Sequence, residues 1–136
     1  LVSNFKLENN ITFTGKADVR EYYSFLDVLV LSSIREAQPL VILEAYAAGV
    51  PVVSSRVGNV PEMLDYDENL LADPKDSQKL ASGVIKLFED EKYRNDLVKK
   101  NREKVLKIYS KKDLINKYDN LYTTYIDQYT VASSQE

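Results

Sequence analysis

The sequence predicts an α/β fold: a partial Rossmann-like parallel sheet flanked by helices, followed by a C-terminal helical segment. Three observations carry this expectation. Val28–Leu31 and Val50–Val53 are uninterrupted apolar runs rich in β-branched residues, which suit strands of a parallel sheet covered on both faces. Between them, Pro39 to Ala48 reads as a helix closed by Gly49 and Pro51. Upstream, a strand-like and a helix-like stretch precede the first run, so the order strand, helix, strand, helix, strand implies right-handed parallel crossovers.

In chain order, Leu1–Asn10 has a polar centre and reads as a loop or the tail of a helix. Ile11–Thr14 alternates Ile, Thr, Phe, Thr, a short strand ended by Gly15. Asp18–Leu26 places Val19, Tyr22, Tyr23 and Leu26 at helical spacing. In the central helix, Pro39 fits the first helical position, and Leu40–Leu43 and Ala45–Ala48 are apolar on every side, as in a buried helix. After Val53, Asn59 is a candidate cap for a short helix containing Pro61 and Glu62. Asn69–Ala72 reads as a weak strand. Asp76 or Ser77 starts a helix with the stripe Leu80, Ala81, Val84, Ile85, Leu87 and Phe88, and one or two more helices reach Ile108. Ser110–Tyr129 reads as a last helix capped by Ser110, with an apolar stripe from Leu114 to Tyr129, followed by a polar tail, Val131–Glu136. The division expected is a Rossmann-like unit, 1–109, and a C-terminal helix with its tail, 110–136. The chain begins with Leu1, not Met, which leads us to expect a piece of a longer protein.

Composition narrows the chemistry. With no cysteine and no histidine in 136 residues, thiol chemistry, disulfides and Ser-His or Cys-His dyads are excluded within the chain. A net charge of −3 argues against a nucleic-acid partner. No metal-ligand cluster, signal peptide or membrane-spanning run is visible. The basic run Lys99-Lys100-Asn101-Arg102 reads as a solvated face.

Two features of the central stretch stand apart. No Ser, Thr, Asp or Asn stands immediately before Pro39, so the amides of Leu40 and Val41 lack a strong capping side chain and form a ready anion site. Glu44 is a carboxylate in an apolar helix and needs a cation, donors or a ligand's hydroxyls. Ligands of open α/β sheets sit beyond the carboxyl ends of the strands. Glu36, Gln38 and the helix start lie beyond one such end, and Ser54, Ser55 and Gly58 beyond the next. One crevice then offers donors for an anion and carboxylates for hydroxyls, the chemistry of a nucleoside diphosphate sugar. Taken alone, Glu36 also reads as a solvated loop carboxylate, and Glu44 as a buried partner of Arg56 or Arg35.

The stretch EAQPLVILEAYAAGVPVVSS, with Glu36 and Glu44 separated by seven residues, resembles the donor-site signature of family 4 retaining glycosyltransferases of the GT-B fold. The flanking ITFTGKADVREYYSFLDVLVLSS and SSRVGNVPEMLDYDENLLADPKD continue the family pattern. Ala37-Gln38-Pro39, where many members have Gly-Phe-Gly or Gly-Phe-Pro, is most similar to the Pel exopolysaccharide branch.

The resemblance implies a hexosyltransferase whose donor-binding residues are Glu36, Ala37, Gln38, Pro39, Leu40, Val41, Glu44 and Gly15. Glu36, the residue assigned to catalysis, would contact the donor sugar's hydroxyls, Glu44 would hold the ribose, and the helix start would face the diphosphate. Gly15 reads from sequence simply as a strand-ending turn; the resemblance places it in the donor cleft. No metal and no cofactor are expected, the substrate being a nucleoside diphosphate sugar, UDP-hexose first among them. The family's basic Arg/Lys pair belongs to a segment before Ile11, and its acceptor site to an N-terminal domain, so this chain is expected to be inactive alone. A cytoplasmic location is expected, at the inner membrane face if the protein joins a membrane-associated synthesis complex. Two alternatives remain. A nucleotide-sugar 2-epimerase relative is disfavoured by the absent Ser-Gly-Gly loop and histidines. A non-catalytic Rossmann-like interaction module would suit an exposed tyrosine stripe.

Overall fold

The computed structural model describes residues 1–133, with side chains through Ile126. Two short 3-10 turns, Ser3–Phe5 and Val19–Glu21, precede the sheet. The elements that follow are β1 (Leu29–Leu31), α1 (Leu40–Ala48), β2 (Val52–Ser55), α2 (Val60–Met63), β3 (Leu71–Ala72), α3 (Ser77–Glu89), α4 (Glu91–Ile108) and α5 (Lys111–Ser133). The sheet order is β1-β2-β3, all parallel. Leu29 lies opposite Val52 and Leu31 opposite Ser54, while Ser54 and Ser55 pair with Leu71 and Ala72. The α/β class with a small parallel sheet and flanking helices is therefore the one the sequence predicts.

The core lies where α1 and α3 meet the sheet. Ile42, Ala45 and Tyr46 of α1 share one cluster with Val52, Val53, Leu71, Leu87 and Leu97. Helix α4 packs on α1, and α3 on β2, β3 and α4. Asp76 caps α3 by accepting from the Lys79 amide at 2.9 Å, and Asp90 caps α4 by accepting from Tyr93 at 2.9 Å. Lys104 ties α4 to the end of α2: its ammonium donates to the Glu62 and Met63 carbonyls at 3.2 and 3.1 Å and pairs with Asp65. Burial alone would raise the Asp65 pKa, but Lys104 and Lys100 together hold that carboxyl below the usual range. The Ser110 hydroxyl accepts from the Asp113 amide at 3.1 Å, so the expected cap of α5 forms.

Four local expectations are corrected. Ile11–Thr14 forms no strand and is exposed, Phe13 to 82 %; alternation supplies propensity, but a strand needs a neighbour to pair with, and none of the described strands pairs with it. Asp18–Leu26 is not a full helix: only Val19–Glu21 makes a 3-10 turn, capped by Asp18. Pro39 sits one residue before the helix, at the N-cap, extended at ψ 115°, and its carbonyl takes the Ile42 amide at 3.2 Å. The second strand is Val52–Ser55, not Val50–Val53, because the Val50 amide is still turned back to Ala45 O at 2.8 Å, closing α1. The expected packing of Tyr129 and the 134–136 end of the tail lie outside the described residues; α5 itself takes in Val131–Ser133.

Candidate functional site

The site is built at the carboxyl ends of β1 and β2. After Leu31 the chain leaves the sheet as the loop 32–38, which carries Glu36, Ala37 and Gln38 to the start of α1. This loop is clasped from beneath. Asn59 donates its amide to Ala37 O at 2.8 Å. Gly58 stands at φ 51°, and a Cβ there would lie 2.1 Å from Glu36 O and 2.7 Å from Ala37 O. The close backbone approach that Gly58 permits is thus to the Glu36 loop itself.

Each carboxylate has one oxygen engaged by a hydroxyl. Ser33 Oγ donates to Glu36 Oε1 at 2.7 Å. Tyr23 Oη donates to Glu44 Oε2 at 3.1 Å. Burial, followed by the neighbouring Glu44, pushes the Tyr23 phenol up to about 12, so it stays a proton donor through the neutral range. The other oxygen of each carboxylate is open to further donors, which suits the hydroxyls of a sugar.

Glu44 is exposed, against the expectation of a buried helix. Leu40, Glu44, Ala47 and Ala48 form one uncovered face of α1, with Leu40 exposed to 66 %. Arg56 does not partner Glu44; it pairs with Glu68 and Asp73 beyond β2. Arg20 is near enough for the Glu44 charge to raise its pKa, after the larger effect of its own partner Asp18.

At the tip of α1 no side chain caps the helix. The amides of Leu40 and Val41 meet no protein acceptor among the described residues. Pro39 is buried, and Ala37, Gln38 and Leu40 are exposed around this tip. An anion would meet free N–H groups and the positive helix end there.

Residues 1–104 match the family model described as glycosyl transferases group 1. The chain belongs to that family. N-acetyl-alpha-D-glucosaminyl L-malate synthase of Bacillus anthracis is 33 % identical over 124 residues, 90 % of this chain and 32 % of that protein. Sucrose-phosphate synthase from Thermosynechococcus elongatus superposes with a TM-score of 0.82 at 30 % identity, over 93 % of this chain and 33 % of the other. The C-terminal domain of a group 1 glycosyl transferase (LpcC) from Francisella tularensis gives 0.68 at 30 % identity, over 81 % and 59 %. The chain spans about a third of the length of the curated relatives it matches.

In this group 1 glycosyltransferase domain, the central stretch gathers Glu36, Ala37, Gln38, Pro39, Leu40, Val41 and Glu44 on one loop-helix unit. Gly15 stands apart from that unit, at φ 65° in a separate cleft of about 330 Å³ with Thr14, Tyr22 and Leu26. A second cleft, about 300 Å³, opens beside Gln38 and Leu40 against Ile108, Leu114 and Lys117. A larger cavity, about 430 Å³, lies between Asp27, Pro51, Leu87 and Arg94, at the opposite ends of β1 and β2. It is remote from the carboxylates, and the strand-end rule favours the Glu36 side. Among the described residues no group of three or more His, Cys, Asp or Glu is placed to hold a metal, and no helix is long and apolar enough to cross a membrane.

Sequence reasoning missed Tyr23, Ser33 and Arg20. Tyr23 stands at helical spacing with Val19, Tyr22 and Leu26, and that spacing gives no sign of a carboxylate partner. Ser33 did carry a signal: a hydroxyl three residues before a loop carboxylate is within reach of it.

Proposed function

We propose that the protein carrying this chain is a retaining glycosyltransferase that moves a hexose from a nucleoside diphosphate sugar, UDP-hexose first, to an acceptor. This chain supplies the later part of the donor-binding face. The observation that carries the reading is the uncapped tip of α1 at Leu40–Val41 beside two carboxylates, Glu36 and Glu44, each with one oxygen open. The diphosphate lies against the tip and the Ala37-Gln38-Pro39 backbone. Glu36 takes hydroxyls of the transferred sugar and serves catalysis there, and Glu44 takes the ribose. The departing diphosphate is stabilised by the helix end, with no metal and no cofactor.

The acceptor site belongs to an N-terminal domain of the same protein, against which α5 packs its exposed stripe. The spelling Ala37-Gln38-Pro39 favours the Pel-like branch and a polysaccharide product. Location is cytoplasmic and peripheral at the inner membrane face, within a synthesis complex. Residues 99–117 carry eight of the eighteen Lys and Arg; Lys100 and Lys104 are paired with Asp65 and Lys117 with Asp113, and the remaining five suit an anionic lipid surface.

Calorimetric titration with a panel of nucleoside diphosphate sugars tests the donor site. Glu44→Ala should weaken binding of the preferred donor by about tenfold or more. Equal affinity in wild type and variant would overturn the assignment of Glu44. Sugar transfer by the 136-residue chain alone should be absent, and clear turnover would refute the need for a second domain. A second reading, a non-catalytic interaction module, is favoured by the uncovered side chains Leu114, Tyr118, Leu121, Tyr122 and Tyr125 of α5. It predicts that no nucleotide sugar binds while a protein partner does.

A further inference from the structure

We propose that Tyr23 is a positioning residue for the nucleotide: its hydroxyl fixes one oxygen of Glu44 so that the other is presented to vicinal hydroxyls. The inference rests on the ribose-binding reading of Glu44 above.

Tyr23 lies 21 residues before Glu44, on the segment that follows the 3-10 turn. Tyr23 is 8 % exposed and belongs to the main core cluster. Its hydroxyl emerges beside α1, 3.1 Å from Glu44 Oε2 and 3.4 Å from Val41 O. A phenol has one proton to give, and the closer, charged acceptor takes the larger share of it. Glu44 itself is exposed, and among the described residues no ion pair holds it, Arg20 acting on it only at a distance. Unheld, such a side chain spreads over several rotamers and loses that freedom on binding. A buried ring cannot follow it, so the hydrogen bond restricts the carboxylate in advance.

The arrangement has a counterpart at the loop, where Ser33 holds Glu36 at 2.7 Å. The two differ in leverage. Ser33 is a near neighbour on the same loop, whereas Tyr23 anchors Glu44 to a different part of the chain.

The test compares uridine diphosphate with its 2′-deoxy analogue by calorimetry. Wild type should prefer the ribonucleotide by about tenfold, the scale of one or two hydrogen bonds to a charged group. Glu44→Gln should remove the preference. Tyr23→Phe keeps the buried ring and removes only the hydroxyl; it should cut the preference to about two- or threefold with an unchanged melting temperature. Combining both changes should do no more than Glu44→Gln alone. Full preference in Tyr23→Phe, beside its loss in Glu44→Gln, overturns the role of Tyr23 and leaves the ribose reading standing. An equal loss for both nucleotides with a lowered melting temperature also overturns it, since that is a structural effect. A wild type that does not distinguish the nucleotides, or a Glu44→Gln that still does, removes the ribose reading and this inference with it.

Discussion

Gly58 shows how a single missing atom serves the candidate site. Its φ of 51° would strain an alanine by roughly 1 kcal/mol. The larger obstacle is steric, because the new Cβ would press on the Glu36 and Ala37 carbonyl oxygens, and backbone does not move aside cheaply. Gly58→Ala should lower the unfolding free energy by about 2–4 kcal/mol, read as a drop in urea midpoint; a midpoint equal to wild type would show that the loop yields freely. The carboxylates were legible from the chain because acids in an apolar stretch demand an explanation. Their hydroxyl donors were not: Tyr23 reaches Glu44 through the fold, and nothing within a few residues of Glu44 announces it.

Among the elements, the unit from β1 through α1 to β2 was the most legible, since its helix is bounded by Pro39 and Gly49 and its strands are apolar throughout. Ile11–Thr14 and Asp18–Leu26 were misread for one reason. In both, the local pattern points one way while pairing and burial are settled by distant residues. Helix α3 offers a sharper contest between local and tertiary terms. Gly83 lies in its interior, where alanine would gain about 1 kcal/mol of helix propensity. Yet a Cβ there would stand 2.7 Å from Asn69 O and 2.9 Å from Val53 Cγ1, and overpacking of that kind costs about 1–3 kcal/mol. The clash should win. Calorimetric melting of Gly83→Ala is expected below wild type, and a higher melting temperature would mean that α3 can slide off β2.

For the molecule as a whole, protection should be uneven. The core cluster joins α1, the sheet and the inner faces of α3 and α4, whereas α5 leaves Leu114, Ile115, Tyr118, Leu121, Tyr122 and Tyr125 exposed. A helix with so little packing depends on its own backbone bonds and opens readily. Hydrogen exchange of the chain should therefore be fast along α5 after its first turn and slow at Val52–Ser55. Equal protection in the two would show that α5 finds cover in solution. The exposed stripe itself could be read from the spacing of its apolar residues; that it stays uncovered could not, because that depends on what else packs against it.

The clasp under the Glu36 loop divides that loop into two zones of unequal tolerance. At the base, Gly58 and Asn59 grip the Glu36-Ala37 backbone; at the apex, Ile34 and Arg35 face solvent. A mutant library aimed at new substrate preferences would find its freedom at the apex, where side chains can be exchanged without shifting the carboxylate. At the base, any side chain at Gly58 would press on the loop, while Asn59 grips through its backbone N–H and tolerates most exchanges except proline.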